Sequence, residues 1–215
     1  MSDGQRANAS VWALVPAKAF ARGKSRLGPA LQGDARAAFA RSLFDHVLAT
    51  LTASGAVDGV LVATNSPDVA AAAHAHGAEV LDDAPGAAGL AAVVDDGLAA
   101  LAARGARTAL VLMADLPHLT ADDVRTLAAA AAAHDVAIVR ADDGCHTNAL
   151  ALSPPACLRT GFGRADSFDA HVAAARAAGL RVVVVDNARI AFDVDGPEDH
   201  ARLLAATARD GARSA

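Results

Sequence analysis

Short continuous apolar runs alternate along the chain with longer alanine-rich stretches whose apolar positions recur every three to four residues. The first pattern is that of strands buried on both faces and the second that of amphipathic helices. Their alternation predicts an α/β protein with a mostly parallel sheet. Residues 11–15, 57–63, 78–81, 108–113, 136–140, 147–152 and 181–185 read as strands. Helices are expected over 34–54, 67–76, from the Pro/Gly loop 82–89 to Arg104, after Thr120, over 166–178 and from Pro197. In the first of these, Phe39, Leu43, Val47 and Leu51 share one face, with Asp34 as N-cap and Gly55 as stop. Thr120 is expected to cap its helix, with Asp122 and Asp123 in the first turn facing the helix dipole. One domain over 11–209 is expected, with flexible tails at 1–10 and 210–215.

Composition sharpens this picture. Of 215 residues, 53% are hydrophobic but only 3% aromatic, so alanine supplies most of the apolar surface. That favours helices packed closely through small side chains over an aromatic-rich β-sandwich. A net charge of −5 argues against a nonspecific nucleic-acid binder. No strongly apolar run reaches the roughly 18 residues a membrane span requires, and residues 1–10 lack an apolar signal core. Cys145 and Cys157 do not make a secreted disulfide framework, so a cytoplasmic location is expected.

Open parallel sheets bind ligands beyond the carboxyl ends of their strands, which directs attention to the loops that follow strands. The first such loop carries Lys18, Arg22, Lys24 and Arg26. Gly23-Lys24-Ser25 imitates the end of a P-loop, but lysine stands at position 18, where that motif needs glycine. Nor is there a three-glycine dinucleotide fingerprint, which counts against a dehydrogenase. What remains is a phosphate site built from side-chain cations. Each such contact at 4 Å contributes about 4 kcal/mol of attraction at an effective dielectric of about 20. After the most apolar strand comes Asp115-Leu116-Pro117, a carboxylate placed where a hard divalent cation meets nucleotide phosphates. Phe192-Asp193-Val194-Asp195-Gly196-Pro197 supplies the candidate second ligand. Asp193 is the expected ligand there, and Asp195 the expected cap of the final helix.

These residues resemble a family. Lys18, Lys24-Ser25-Arg26-Leu27, Asp115-Leu116-Pro117, Thr147-Asn148-Ala149-Leu150, Phe162-Gly163 with Ser167-Phe168 and His171, and residues 193–199 occur in the order found in the guanylyltransferases of coenzyme F420 biosynthesis. The resemblance spans roughly residues 11–205. It implies a single-domain, three-layer α/β/α Rossmann-like nucleotidyltransferase fold, shared with molybdenum-cofactor guanylyltransferases. By the same resemblance, GTP is joined to 2-phospho-L-lactate, phosphoenolpyruvate or 3-phospho-D-glycerate, and the diphospho-5'-guanosine product passes to a downstream transferase. Lys24 and Asp115 would be catalytic, and Lys18, Lys24, Ser25 and Arg26 would hold the nucleotide. Thr147, Asn148, Gly163 and Ser167 would contact the acid, and Asp115 and Asp193 would hold Mg²⁺.

Three positions depart from the family pattern. Ala91 follows Leu90 where asparagine is common, the Gly163–Ser167 interval is one residue longer than usual, and His146 replaces a small residue before Thr147. A histidine in the acid-binding loop can hydrogen-bond a substrate hydroxyl or carboxylate, which favours 3-phospho-D-glycerate. Two other expectations compete: a nucleotidyltransferase of the molybdenum-cofactor type, and a nucleotide-binding regulatory module without catalysis. Neither a nucleic-acid nor a membrane partner is expected, and the alanine-rich helices leave room for a homodimer.

Overall fold

Apolar runs too short for a helix and bounded by turn residues become strands, and seven of them form one sheet. A computed structural model of the protein describes residues 10–82 and 89–213, with side chains through 209. The strands are β1 (Val11–Pro16), β2 (Gly59–Thr64), β3 (Glu79–Asp82), β4 (Thr108–Leu112), β5 (Val136–Arg140), β6 (Thr147–Leu152) and β7 (Val182–Val184). Their spatial order is β3-β2-β1-β4-β6-β5-β7. Every pairing is parallel except those of β6, which runs antiparallel to both β4 and β5. That reversal has a functional consequence. The amino end of β6, with Thr147 and Asn148, lies beside the carboxyl end of β4.

The helices are α1 (Gly33–Ser54), α2 (Pro67–Ala75), α3 (Leu90–Ala103), α4 (Ala121–Ala133), α5 (Ser167–Ala177), α6 (Ala188–Ala191) and α7 (Pro197–Arg213). Side chains of α1, α2 and α4 build the core on one sheet face, around Phe44, Leu48, Val69 and Leu127. Those of α3 and α5 build the other, around Leu98, Leu101 and Phe168. The result is the expected α/β/α sandwich. Gly97 lets α3 lie close on β1, because a Cβ there would meet the Leu14 side chain at 2.7 Å. A third small cluster, Leu27, Leu43, Phe192 and Val194, joins the basic loop to α1 and to the segment before α7.

Several boundaries differ from expectation for identifiable reasons. Asp34 sits inside the first turn of α1 and Gln32 takes the cap position. Residues 57 and 58 precede β2, because Asp58 ties down the start of β1 by accepting from the Val11 N–H at 2.8 Å. Thr120 caps α4 as expected, but Asp123 completes a reciprocal capping box with it. Asp166 precedes α5 without a capping bond, its carboxylate being taken by Arg164 at 2.8 Å. The final helix continues to Arg213, past the expected boundary at 209. The expected tails at 1–9 and 214–215, and residues 83–88 of the Pro/Gly loop, lie outside the described residues.

Candidate active site

Two apolar anchors hold the basic loop. Phe20 is buried against Phe44, ring centroids 5.5 Å apart, and Leu27 is fully buried in the third cluster. Between them the chain makes two short 3₁₀ turns, Phe20–Arg22 and Ser25–Leu27, joined through Gly23 and Lys24. Lys24 adopts a left-handed backbone, φ 53° and ψ 38°, at a cost of about 1–2 kcal/mol for a residue with a side chain. Its ammonium turns inward, pairing with Asp115 and, at 3.0 Å, with Asp195. Burial disfavours the charged lysine, but the two carboxylates outweigh it and raise its pKa. Arg26 stands 3.6 Å from Asp195 and is largely exposed. Lys18 and Arg22 are exposed and make no ion pair among the described residues.

The acidic side comes from two distant segments. Asp115 lies just past β4, whereas Asp193 and Asp195 lie on the extended stretch before α7. Phe192 and Val194 alternate with them into the third cluster, so both aspartates face away from it. Carboxylate oxygens of Asp115, Asp193 and Asp195 lie within 4.8 Å of one another. Burial, then the charge of Asp115, pushes the Asp193 carboxyl up to about 6, against the stabilising bond from Asn148. The Oδ1 of Asp115 is buried with no hydrogen-bond partner among the described residues. Three hard oxygen ligands, an orphaned oxygen among them, opposed by one buried ammonium, fit a divalent cation. Asp195 is therefore a member of the cluster and not the cap of α7. Asp199 closes that helix start instead, accepting from the backbone N–H groups of Asp195 and Gly196.

The residues expected to contact the acid divide into two groups. Thr147 and Ser167 are buried and interlocked, the Thr147 N–H donating to Ser167 Oγ at 3.1 Å. His171, fully buried, accepts from the Gly161 N–H through Nε2 at 2.8 Å. Burial drives its pKa down to about 4, so the ring is neutral, its hydrogen sits on Nδ1, and it donates to Thr147 Oγ1 at 3.1 Å. Gly163 takes φ +84° and a Cβ there would lie 3.6 Å from Leu90, at the edge of the cavity. The Gly163 turn and the Arg164–Asp166 ion pair occupy the lengthened interval before Ser167. His146 pairs through Nδ1 with Asp143 of its own loop, leaving Nε2 available. Asn148, expected to contact the acid, is instead committed inward: its amide nitrogen donates to Ile190 O, Ala191 O and Asp193 Oδ1.

A cavity of about 500 Å³ joins these parts, lined by Lys18, Arg22, Lys24, Leu90, Asp115 and Asp195 among others, with Ser25 and Arg26 on its wall. Thr147 and Ser167 are not among its lining residues. Arg22, read in the sequence only as one of the loop's cations, and Asp195, read there as a helix cap, both line the cavity. The alternation Phe192-Asp193-Val194-Asp195 held the signal for the second, since it places both carboxylates on one side of an extended strand. Cations able to receive phosphates beside carboxylates able to receive a metal make a site suited to phosphoryl chemistry.

Comparison with known proteins agrees. The model of the family described as guanylyl transferase CofC like matches residues 11–212. The phosphoenolpyruvate guanylyltransferase of Sphaerobacter thermophilus is 40% identical over 87% of this chain and 89% of its own length. The 2-phospho-L-lactate guanylyltransferase of Halorubrum lacusprofundi is 37% identical over 88% and 82%. The 3-phospho-D-glycerate guanylyltransferase of Phenylobacterium zucineum is 35% identical over 82% and 81%. Among solved structures, a Desulfovibrio desulfuricans protein described as a nucleotide-diphospho-sugar transferase superposes with a TM-score of 0.72 at 18% identity, covering 86% of this chain and 82% of that one. A Methanothermobacter nucleotidyl transferase gives 0.65 at 16%, covering 94% and 99%.

Proposed function

The chain belongs to the CofC-like guanylyl transferase family, and from that premise we propose that it condenses GTP with a small phosphorylated three-carbon acid. An oxygen of the acid's phosphate attacks the α-phosphorus of GTP. The new P–O bond forms as the bond to the β-phosphate oxygen breaks, and pyrophosphate leaves with that electron pair. A phosphate monoester, with a second pKa of about 6, is already a dianion at neutral pH, so no general base is required. The chain's task is to bring two anions together. Lys18, Arg22, Lys24 and Arg26 line the cavity where a triphosphate would lie and a departing pyrophosphate would need neutralising.

Asp115, Asp193 and Asp195 are the residues that would hold Mg²⁺, which when bound supplies Lewis-acid stabilisation of charge on the phosphoryl oxygens. Lys24, now paired with two of these carboxylates, is placed to exchange them for phosphate oxygens. The observation that carries this reading is the convergence of three carboxylates and one ammonium, with Asp115, Asp195 and Lys24 on the wall of a cavity whose other charged lining residues are the cations Lys18, Arg22 and Arg26.

The names of relatives make phosphoenolpyruvate the first expectation for the acid. His146 favours the hydroxylated acid, 3-phospho-D-glycerate, because Asp143 fixes its ring and leaves Nε2 to receive a hydroxyl. The test is a panel of GTP, ATP and CTP crossed with phosphoenolpyruvate, 2-phospho-L-lactate and 3-phospho-D-glycerate, read by pyrophosphate release and product mass. GTP with one of the three acids is expected to yield product. Failure of all nine combinations in Mg²⁺ would sink the assignment. A His146→Gly variant that ranks the acids as the wild type does would remove the case for the hydroxylated substrate.

A further inference from the structure

The acidic cluster draws its members from either side of β6, and one residue of that strand reaches both sources. The carbonyl of Asn148 accepts from the Met113 N–H at 3.1 Å, two residues before Asp115. Its side-chain nitrogen donates to Ile190 O at 3.1 Å, Ala191 O at 2.9 Å and Asp193 Oδ1 at 3.0 Å. All three contacts are acceptors, so the atom facing them is the nitrogen and not the amide oxygen. Two N–H protons shared among three acceptors leave none for a ligand. Asn148 is 3% exposed, and it is not among the residues lining the cavity.

We infer that Asn148 is a positioning residue for the acidic cluster, setting the spacing of Asp115 and Asp193 and aiming the Asp193 carboxylate, without touching either substrate. The inference rests on the proposal that this cluster holds a divalent cation. Its physical basis is that a carboxylate ligand needs an outer partner to fix its rotamer, and such partners contribute about 10–100-fold to metal affinity. Backbone and side chain of one residue here serve both carriers, so a shift of β6 relative to β4 would be felt by both ligands together.

The test is Mn²⁺ titration of the substrate-free protein, with free ion measured by electron paramagnetic resonance. Wild type is compared with Asn148→Ala, Asn148→Ser, Asp193→Ala and the Asn148→Ala/Asp193→Ala double variant. Asn148→Ala is expected to bind Mn²⁺ about 10–100-fold more weakly. Asn148→Ser keeps a hydroxyl donor; it is expected to recover part of that loss, and it carries the comparison should the alanine variant fail to fold. Because Asn148 acts through Asp193, the double variant is expected to bind no worse than Asp193→Ala alone, within about twofold. In turnover, the half-saturating metal concentration should rise by the same factor while kcat at saturating metal recovers, which a general loss of structure would not produce. Asn148 variants that match wild type, while Asp193→Ala has lost the ion, overturn this inference alone. An Asp193→Ala protein that binds Mn²⁺ as wild type does overturns the metal reading and this inference with it.

Discussion

Asp123, buried and bonded to the 187–189 stretch, and Asp193, half-buried a few residues further on, have opposite surroundings. Asp123 accepts from the Thr120 N–H and hydroxyl, the Asn187 amide and two guanidinium nitrogens of Arg189. Burial alone would raise its pKa, but Arg189, Thr120 and Asn187 together hold the carboxyl far below the usual range. Among the described residues Asp193 has a single side-chain donor, Asn148; burial and the charge of Asp115 push its carboxyl up to about 6. One carboxylate is saturated and serves the scaffold. The other belongs to a cluster in which carboxylates outnumber the paired ammonium, an arrangement fit to accept a cation. His171 belongs with Asp123: both ring nitrogens are partnered, and it stays neutral.

This contrast predicts that the two classes fail differently. Asp115→Asn is expected to lower kcat by about 10²–10³, roughly 3–4 kcal/mol of transition-state stabilisation, with an unchanged melting temperature. A comparable loss of melting temperature would erase the distinction. Asp123→Ala is expected to do the reverse, destabilising the fold by about 3 kcal/mol and lowering the melting temperature by roughly 10 °C. That cost is at the low end for a broken buried pair because Arg189 is half exposed and can turn to water. The residual folded enzyme should keep most of its turnover per active molecule.

The next effect is a pH dependence. With its pKa depressed to about 4, His171 takes up its proton more readily in the unfolded chain, so acid favours unfolding. Its contribution is intact above the ordinary histidine pKa of about 6.5 and is lost as pH falls towards 4. Between pH 7 and 5 the wild type should lose about 2 kcal/mol more stability than His171→Asn, measured by denaturant unfolding. Parallel pH profiles would show that the ring is not held neutral. The smallest effects belong to the unpaired cations. Lys18→Ala and Arg22→Ala should each raise KM for GTP by about tenfold with little change in kcat, the effect shrinking in high salt. Equal losses in kcat would assign these side chains to the reaction step.

Much of the scaffold was legible because single residues carried unambiguous signals. The runs Val136–Arg140 and Thr147–Leu152 were bounded by turn residues and matched their strands, and Thr120 announced a helix start. Strand direction is another matter, since apolar periodicity is identical for parallel and antiparallel strands, so nothing local marked β6 as reversed. The basic loop and Asp115 were visible from their place after strands. The sequence does not tell whether Asp193 or Asp195 is the second ligand, because a carboxylate shortly before Pro197 also resembles a cap; in the structure Asp199 takes the backbone N–H groups there and Asp195 joins the cluster. Asn148 and Asp123 were legible as residues but not as roles, for the partners that define them, Asp193 and Arg189, lie more than forty positions away in sequence.

Phe192 and Val194 fasten the stretch bearing two of the three clustered carboxylates to Leu27 and Leu43, far earlier in the sequence. A ribosome-bound chain interrupted before residue 192 would already carry Lys18, Arg22, Lys24 and Arg26 but would lack Asp193 and Asp195. If those carboxylates hold the ion, competence to transfer a nucleotide would wait until the 192–195 stretch has emerged and docked onto the earlier-made residues 27 and 43.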